Sequence, residues 1–132
     1  STRYLPNSLH EFSVVSPKDG FSRAYDGSGF SSINIPMRNP VIEMEFDEPQ
    51  NIKGFSYLPS QERDASRHIS EYKFFVDDSL VISGTFGNIR NNPVEQVVDF
   101  PSVKGNNVKF VATKNIDDAS YCKVAEFYVI TE

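Results

Sequence analysis

The 132-residue chain has one cysteine, Cys122, two methionines and no tryptophan. A single thiol cannot close an intrachain disulfide, so cysteine usage leaves the redox compartment open, and burial is the expected state of such a lone thiol. No apolar run approaches the roughly 20 residues that span a bilayer as a helix. Basic residues are outnumbered: 13 Lys and Arg stand against 18 Asp and Glu, for a net charge of −5, and they form no cluster. That balance argues against a nucleic acid or an anionic membrane held by electrostatics. Catalytic signatures are also missing. The only histidines, His10 and His68, fall in a ragged leading segment and at the foot of a loop. No nucleophile elbow, phosphate loop, metalloprotease or dinucleotide motif is present, so the chain reads as non-catalytic. Glu43 and Glu45 are better placed on the wet face of a strand than in a glycosidase pair.

What remains is a β-prone globular chain, 39% hydrophobic and 13% aromatic, of a length that supports one core. Residues 1–11, with Pro6 and Asn7, are expected to be a linker remnant, and residues 12–132 the domain. The start at Ser1 suggests a piece excised from something larger. Short candidate strands cover 12–15, 41–46, 52–58, 69–76, 80–86, 94–100, 108–113 and 123–130. The clearest is 41–46, with Ile42, Met44 and Phe46 inward and Glu43 and Glu45 outward. In 80–86, Leu80, Ile82 and Phe86 share a face, and Asp77-Asp78-Ser79 makes the hairpin turn. Asn115 to Ser120 reads as a loop. About eight strands with turn signals between them, and no convincing helix, predict an all-β antiparallel sandwich. Ser16 to Asn39, rich in Gly, Ser, Asn and Pro, is long for a structureless loop and therefore a candidate for function.

The organising stretch is Asn51 to Val76. Two aromatic and β-branched runs flank a polar loop opened by Pro59, which cannot donate to a ladder. Its pattern, Gly54-Phe55-x-Tyr57-Leu58-Pro59, then the loop, then Ile69-Ser70-x-Tyr72-x-Phe74-x-Val76, resembles the discoidin or coagulation factor 5/8 type C domain, in particular carbohydrate-binding module family 32. Ala125-Glu126-Phe127 near the end completes the resemblance, which implies a discoidin-like jelly roll. It further implies a non-catalytic glycan-binding module, secreted or periplasmic, attached to a parent glycoside hydrolase such as a chitobiase or β-hexosaminidase. GlcNAc- or galactose-containing glycans are the expected ligands.

The resemblance places a structural Ca²⁺ between the Asp26-Gly27 loop and the last strand. Asp26 and Glu126 would be its charged ligands, with oxygens from Arg23, Ser28, Ser31 and Ala125. Glu126 stands among apolar neighbours, taken to be Val124, Tyr128 and Ile130, with Ala125, Phe127 and Val129 on the opposite face. A carboxylate there needs a cation or strong donors. The alternative is a plain turn at Asp26-Gly27, with Glu126 paired to an arginine such as Arg23. For the sugar, an aromatic plate and planar polar groups are needed. Tyr121 stands where related modules place a stacking ring. Ser60 and Ala65 occupy the family's Arg and Asn positions, and Ile33 and Asn34 lie near its Trp and His. The candidate ligand residues are therefore Asn34, Ser60, Gln61, Arg63, Asp64, Arg67, His68 and Tyr121, with Glu62 beside them. The rival function is a structural or protein-interaction domain packed on its parent enzyme without a sugar site.

Overall fold

The computed structural model describes residues 12–17, 21–24, 32–63, 67–87, 89 and 91–132. Seven strands run through them: β1 (Phe12–Ser16), β2 (Ile33–Pro36), β3 (Val41–Pro59), β4 (Ile69–Val76), β5 (Ser79–Thr85), β6 (Gln96–Asn115) and β7 (Tyr121–Thr131). One short 3-10 turn, Phe21–Ala24, packs against β7 and β2. All pairings are antiparallel, in the order β2-β7-β3-β6-β4-β5, with β1 added on β3. The leading segment 1–11 lies outside the described residues.

Two long strands turn this single ladder into a sandwich. Residues 41–45 of β3 pair with 107–111 of β6, residues 50–57 pair with 96–105, and the register shifts between Glu45 and Gln50. Pro49 sits in that interruption, where the ladder makes no demand for its missing N–H. The first half of β3 and the second half of β6 thus form one layer with β1, β4 and β5. The other halves form a second layer with β7 and β2. Aromatic rings bridge the layers: Phe55 of β3 stacks on Phe74 of β4 at 4.9 Å between ring centres, and Phe110 of β6 meets Phe127 of β7 at 5.1 Å. Neither pair belongs to hydrogen-bonded neighbours, so these contacts are the core itself.

The all-β sandwich expected from periodicity is present, with differences in segmentation. The expected strands 41–46 and 52–58 are one strand, and residues 96–100 of the expected 94–100 run on through Gly105-Asn106-Asn107 into 108–113. Strand β2 lies inside the stretch read as loop. Ile42, Met44 and Phe46 are buried as expected, but Leu80 is 53% exposed. The β4–β5 register moves from Phe74↔Ile82 to Phe75↔Leu80; the extra residue on β5 turns Leu80 away from the face that Ile82 shares with Phe74. A similar irregularity reassigns the faces of β7, where Leu58 pairs with Glu126 and Pro59 with Val124. The bulge at Ala125 puts Val124 in the core with Phe127 and Val129, and leaves Glu126, Tyr128 and Ile130 on the other face.

Candidate functional site

Antiparallel order collects several strand ends at one pole: the ends of β2, β3, β5 and β6 and the starts of β4 and β7. The loop from Ser60 onward lies there and is held from inside. Ser60 and His68, expected at the ligand face, are each 1% exposed. His68 Nε2 and the Ser60 carbonyl oxygen are 3.0 Å apart, closing the base of the loop. Ser60 Oγ accepts from the Glu62 amide at 3.3 Å. Gln61 donates to the carbonyls of Pro59 and Pro93 at 2.7 and 2.9 Å. These three side chains shape the loop, and Arg63 projects into solvent. Asp64 lies outside the described residues.

Tyr121 opens β7 beside this loop. Its backbone is fixed by Asn115, 1% exposed, whose Nδ2 donates to Tyr121 O at 3.2 Å and Ala119 O at 2.9 Å. Asn115 Oδ1 accepts from the Ala119 amide at 2.8 Å. The next residue, Ile116, donates its amide to His68 O at 3.0 Å, so the loop carrying Tyr121 is tied to the base of the loop carrying Arg67. The Arg67 guanidinium carbon lies 4.7 Å from the centre of the Tyr121 ring, a cation–π contact of about 0.5–1 kcal/mol at a partly exposed site.

Alternation extends the face. Lys123, two residues on from Tyr121, points the same way, and its register partner in β2 is Asn34, which is exposed. Lys123 Nζ bonds Glu62 Oε1 at 3.0 Å, drawing the loop across β7. The structure therefore brings together Asn34, Tyr121 and Arg67 of the sequence-derived set with Glu62 beside them, and adds Lys123. Lys123 was legible from its i+2 spacing to Tyr121. Asn115 gave no signal beyond being a loop asparagine. Behind the face, Cys122 is buried and burial pushes its thiol up to about 11, against a smaller opposing pull from the Asn115 hydrogen bond.

Of the residues expected around calcium, Asp26, Ser28 and Ser31 lie outside the described residues. Arg23 is exposed and donates Nε to Ser32 O at 2.9 Å, while Glu126, 3% exposed, accepts from the Tyr128 hydroxyl at 2.7 Å. Ala125, also buried, forms the bulge before it. A carboxylate buried this deeply suits a hard cation with oxygen ligands.

No protein-family profile matches the chain, and no curated protein does. Solved structures match its fold. The family 32 carbohydrate-binding module of Clostridium perfringens NanJ, in complex with galactose, superposes with a TM-score of 0.72 at 16% identity, over 96% of this chain and 97% of that one. CpGH89CBM32-5 of Clostridium perfringens, in complex with GalNAc-β-1,3-galactose, gives 0.71 at 20% identity over 96% and 98%. The C-terminal domain of a chitobiase from Bacteroides fragilis gives 0.71 at 14% identity over 99% and 98%. The protein has the fold of the family 32 carbohydrate-binding modules.

Proposed function

We propose that the protein is a non-catalytic carbohydrate-binding module that holds a parent glycoside hydrolase, of the chitobiase or β-hexosaminidase kind, at its glycan. The observation that carries this reading is the partly exposed face on which Tyr121, Asn34 and Lys123 project together, with Arg67 over the Tyr121 ring and Glu62 bonded to Lys123. A partly exposed phenol offers the apolar face of a pyranose a plate, and the surrounding amide, ammonium and carboxylate groups supply paired donors and acceptors. One aromatic and a few hydrogen bonds make a shallow site of weak affinity, which serves by raising local concentration. Galactose- and GalNAc-containing glycans are the first ligands to try, since the structural neighbours carry them. Extracellular or periplasmic placement follows from that role.

A Ca²⁺ ion held by Glu126 and Asp26, with backbone and hydroxyl oxygens of Arg23, Ser28, Ser31 and Ala125, belongs to the same proposal. It supplies charge neutralisation for the buried carboxylate and no chemistry.

The rival reading, an interaction domain packed on its parent, draws on Val94 and Val97, which are 51% and 50% exposed and flank the start of β6. An amide-shift titration with galactose and GalNAc separates the two. Shifts at the Tyr121 face that disappear in Tyr121→Ala support glycan binding. A silent spectrum leaves the interaction domain.

A further inference from the structure

A separate pocket of about 450 Å³ opens at the same pole, on the β4–β5 side of the sandwich. Phe86 and Ile89, both buried, and Ile116 give it an apolar floor, while Asn91 and the half-exposed side chains of Glu71 and Lys114 also line it. None of these residues belongs to the Tyr121 face. We infer that this pocket is a second sugar subsite, taking a neutral pyranose whose C–H face lies on the apolar floor while two adjacent hydroxyls bridge Glu71 and Lys114. The inference rests on the glycan-binding reading above.

Three features point to that occupant. Glu71 and Lys114 are register partners across β4 and β6, yet Oε2 and Nζ stand 3.9 Å apart, more than the about 2.8 Å of a closed charge-assisted bond. A vicinal diol fits such a gap, one hydroxyl donating to the carboxylate and its neighbour accepting from the ammonium. The lining carries one charge of each sign, so an anionic ligand meets Glu71 and a cationic one meets Lys114; a neutral polyol meets neither penalty. The walls are also built before any ligand arrives. The Phe86 amide donates to Ser70 O at 2.8 Å, the Ile116 amide to His68 O at 3.0 Å, and Ser70 Oγ to Lys114 O at 3.2 Å. Phe86 is further held by stacking on Tyr72, with ring centres 4.6 Å apart. A preformed wall loses little ordering entropy on binding. Pocket volumes for small ligands begin at roughly 300 Å³, so one sugar ring has room.

The test follows backbone amides of the 132-residue chain during titration with methyl β-galactoside and methyl N-acetyl-β-galactosaminide. The expected result is two independent sets of shifts, one at Arg67, Tyr121 and Lys123, the other at Ser70, Glu71, Phe86 and Ile116. Glu71→Gln and Lys114→Met, both at partly exposed positions that carry little stability, each weaken the second set at least about tenfold and leave the first untouched. Tyr121→Ala does the reverse. Shifts confined to the Tyr121 set overturn the second subsite while leaving the proposed function intact. A spectrum silent at both overturns both. Shifts at the pocket that neither Glu71→Gln nor Lys114→Met weakens overturn the diol-bridging arrangement.

Discussion

The Arg67 guanidinium carbon lies over the Tyr121 ring, 4.7 Å from its centre, and joins two segments that are 54 positions apart in sequence (121 minus 67). In the proposed glycan site Tyr121 is the aromatic plate, and Arg67 is the side chain packed over its ring. Tyr121→Ala is expected to weaken glycan binding at least about tenfold while costing under about 1 kcal/mol of stability. Arg67→Ala, which leaves the ring in place, is expected to weaken binding less. A double-mutant cycle measured by titration calorimetry should return a coupling of about 0.5–2 kcal/mol. Additive effects would show that the two side chains act on the ligand independently.

Asn115 is the residue on which this geometry depends from below. Asn115→Ala leaves the Ala119 amide and the carbonyls of Ala119 and Tyr121 without the bonds they now make. Urea denaturation should show a loss of about 2–4 kcal/mol. The amides of 116–121 should also exchange faster in native conditions than those of β4. An exchange pattern like that of the unsubstituted protein would mean that Ile116 and His68 hold the loop alone.

Much of this architecture was legible in the amino-acid pattern, because a half-buried strand writes its burial at period 2. Ile42, Met44 and Phe46 face the core, as do Val108, Phe110 and Ala112. What escaped were the irregularities. An extra residue at Ala125 or Val81 reverses every face beyond it, and its presence is decided by the partner strand, which periodicity cannot see. Hence Val124 and Leu80 lie on the faces opposite to those that period 2 predicts. The site divides in the same way. Tyr121, Arg67 and Asn34 were nameable from the family resemblance, but that Ser60 and His68 turn inward depends on how the loop closes on itself, through the His68–Ser60 carbonyl bond.

Gly54 shows a close approach that only a missing side chain permits. A Cβ built there would collide with the Val98 carbonyl oxygen and crowd Asp99 Oδ1 at 3.1 Å, at the bulge where β3 changes register against both β6 and β7. The obstacle is backbone on one side, so it cannot step aside. Gly54→Ala should lower the denaturation midpoint by an amount corresponding to about 1–3 kcal/mol. An unchanged midpoint would show that β6 shifts freely there.

Two buried acids predict alkaline sensitivity. Burial raises the Cys122 thiol to about 11 from 9.0, and it raises the Tyr57 phenol well above its ordinary 10.0, against the opposing bond from the Ile69 amide. Both groups stay protonated in the folded state at pH values where the unfolded chain releases their protons. The unfolded state then binds fewer protons, so stability falls as pH rises. The loss begins near pH 9 for Cys122 and near pH 10 for Tyr57, each costing at most about 1.4 kcal/mol per pH unit. The Cys122 contribution ends near pH 11, where the folded thiol ionises too. Cys122→Ala should remove the part of the decline that starts at pH 9, read from melting temperature against pH. The same burial predicts that a thiol reagent at pH 8 modifies Cys122 only through unfolding, at a rate that rises with urea.

Glu126 gives the calcium proposal its own readout. If the ion binds only the folded chain, a calcium concentration a hundredfold above Kd adds about 2.7 kcal/mol of stability, and EDTA should then lower the melting temperature by roughly 8–10 °C for a domain of this size. Glu126→Gln keeps the volume and a hydrogen-bonding group opposite the Tyr128 hydroxyl but removes the charge, so its melt should be the same with and without EDTA. Magnesium should restore little of the loss, because an irregular oxygen shell does not meet its octahedral demand. A melt of the unsubstituted protein that EDTA leaves unmoved would assign the Glu126 charge to protein donors alone, and the last strand would then owe its position to the core contacts of Val124, Phe127 and Val129.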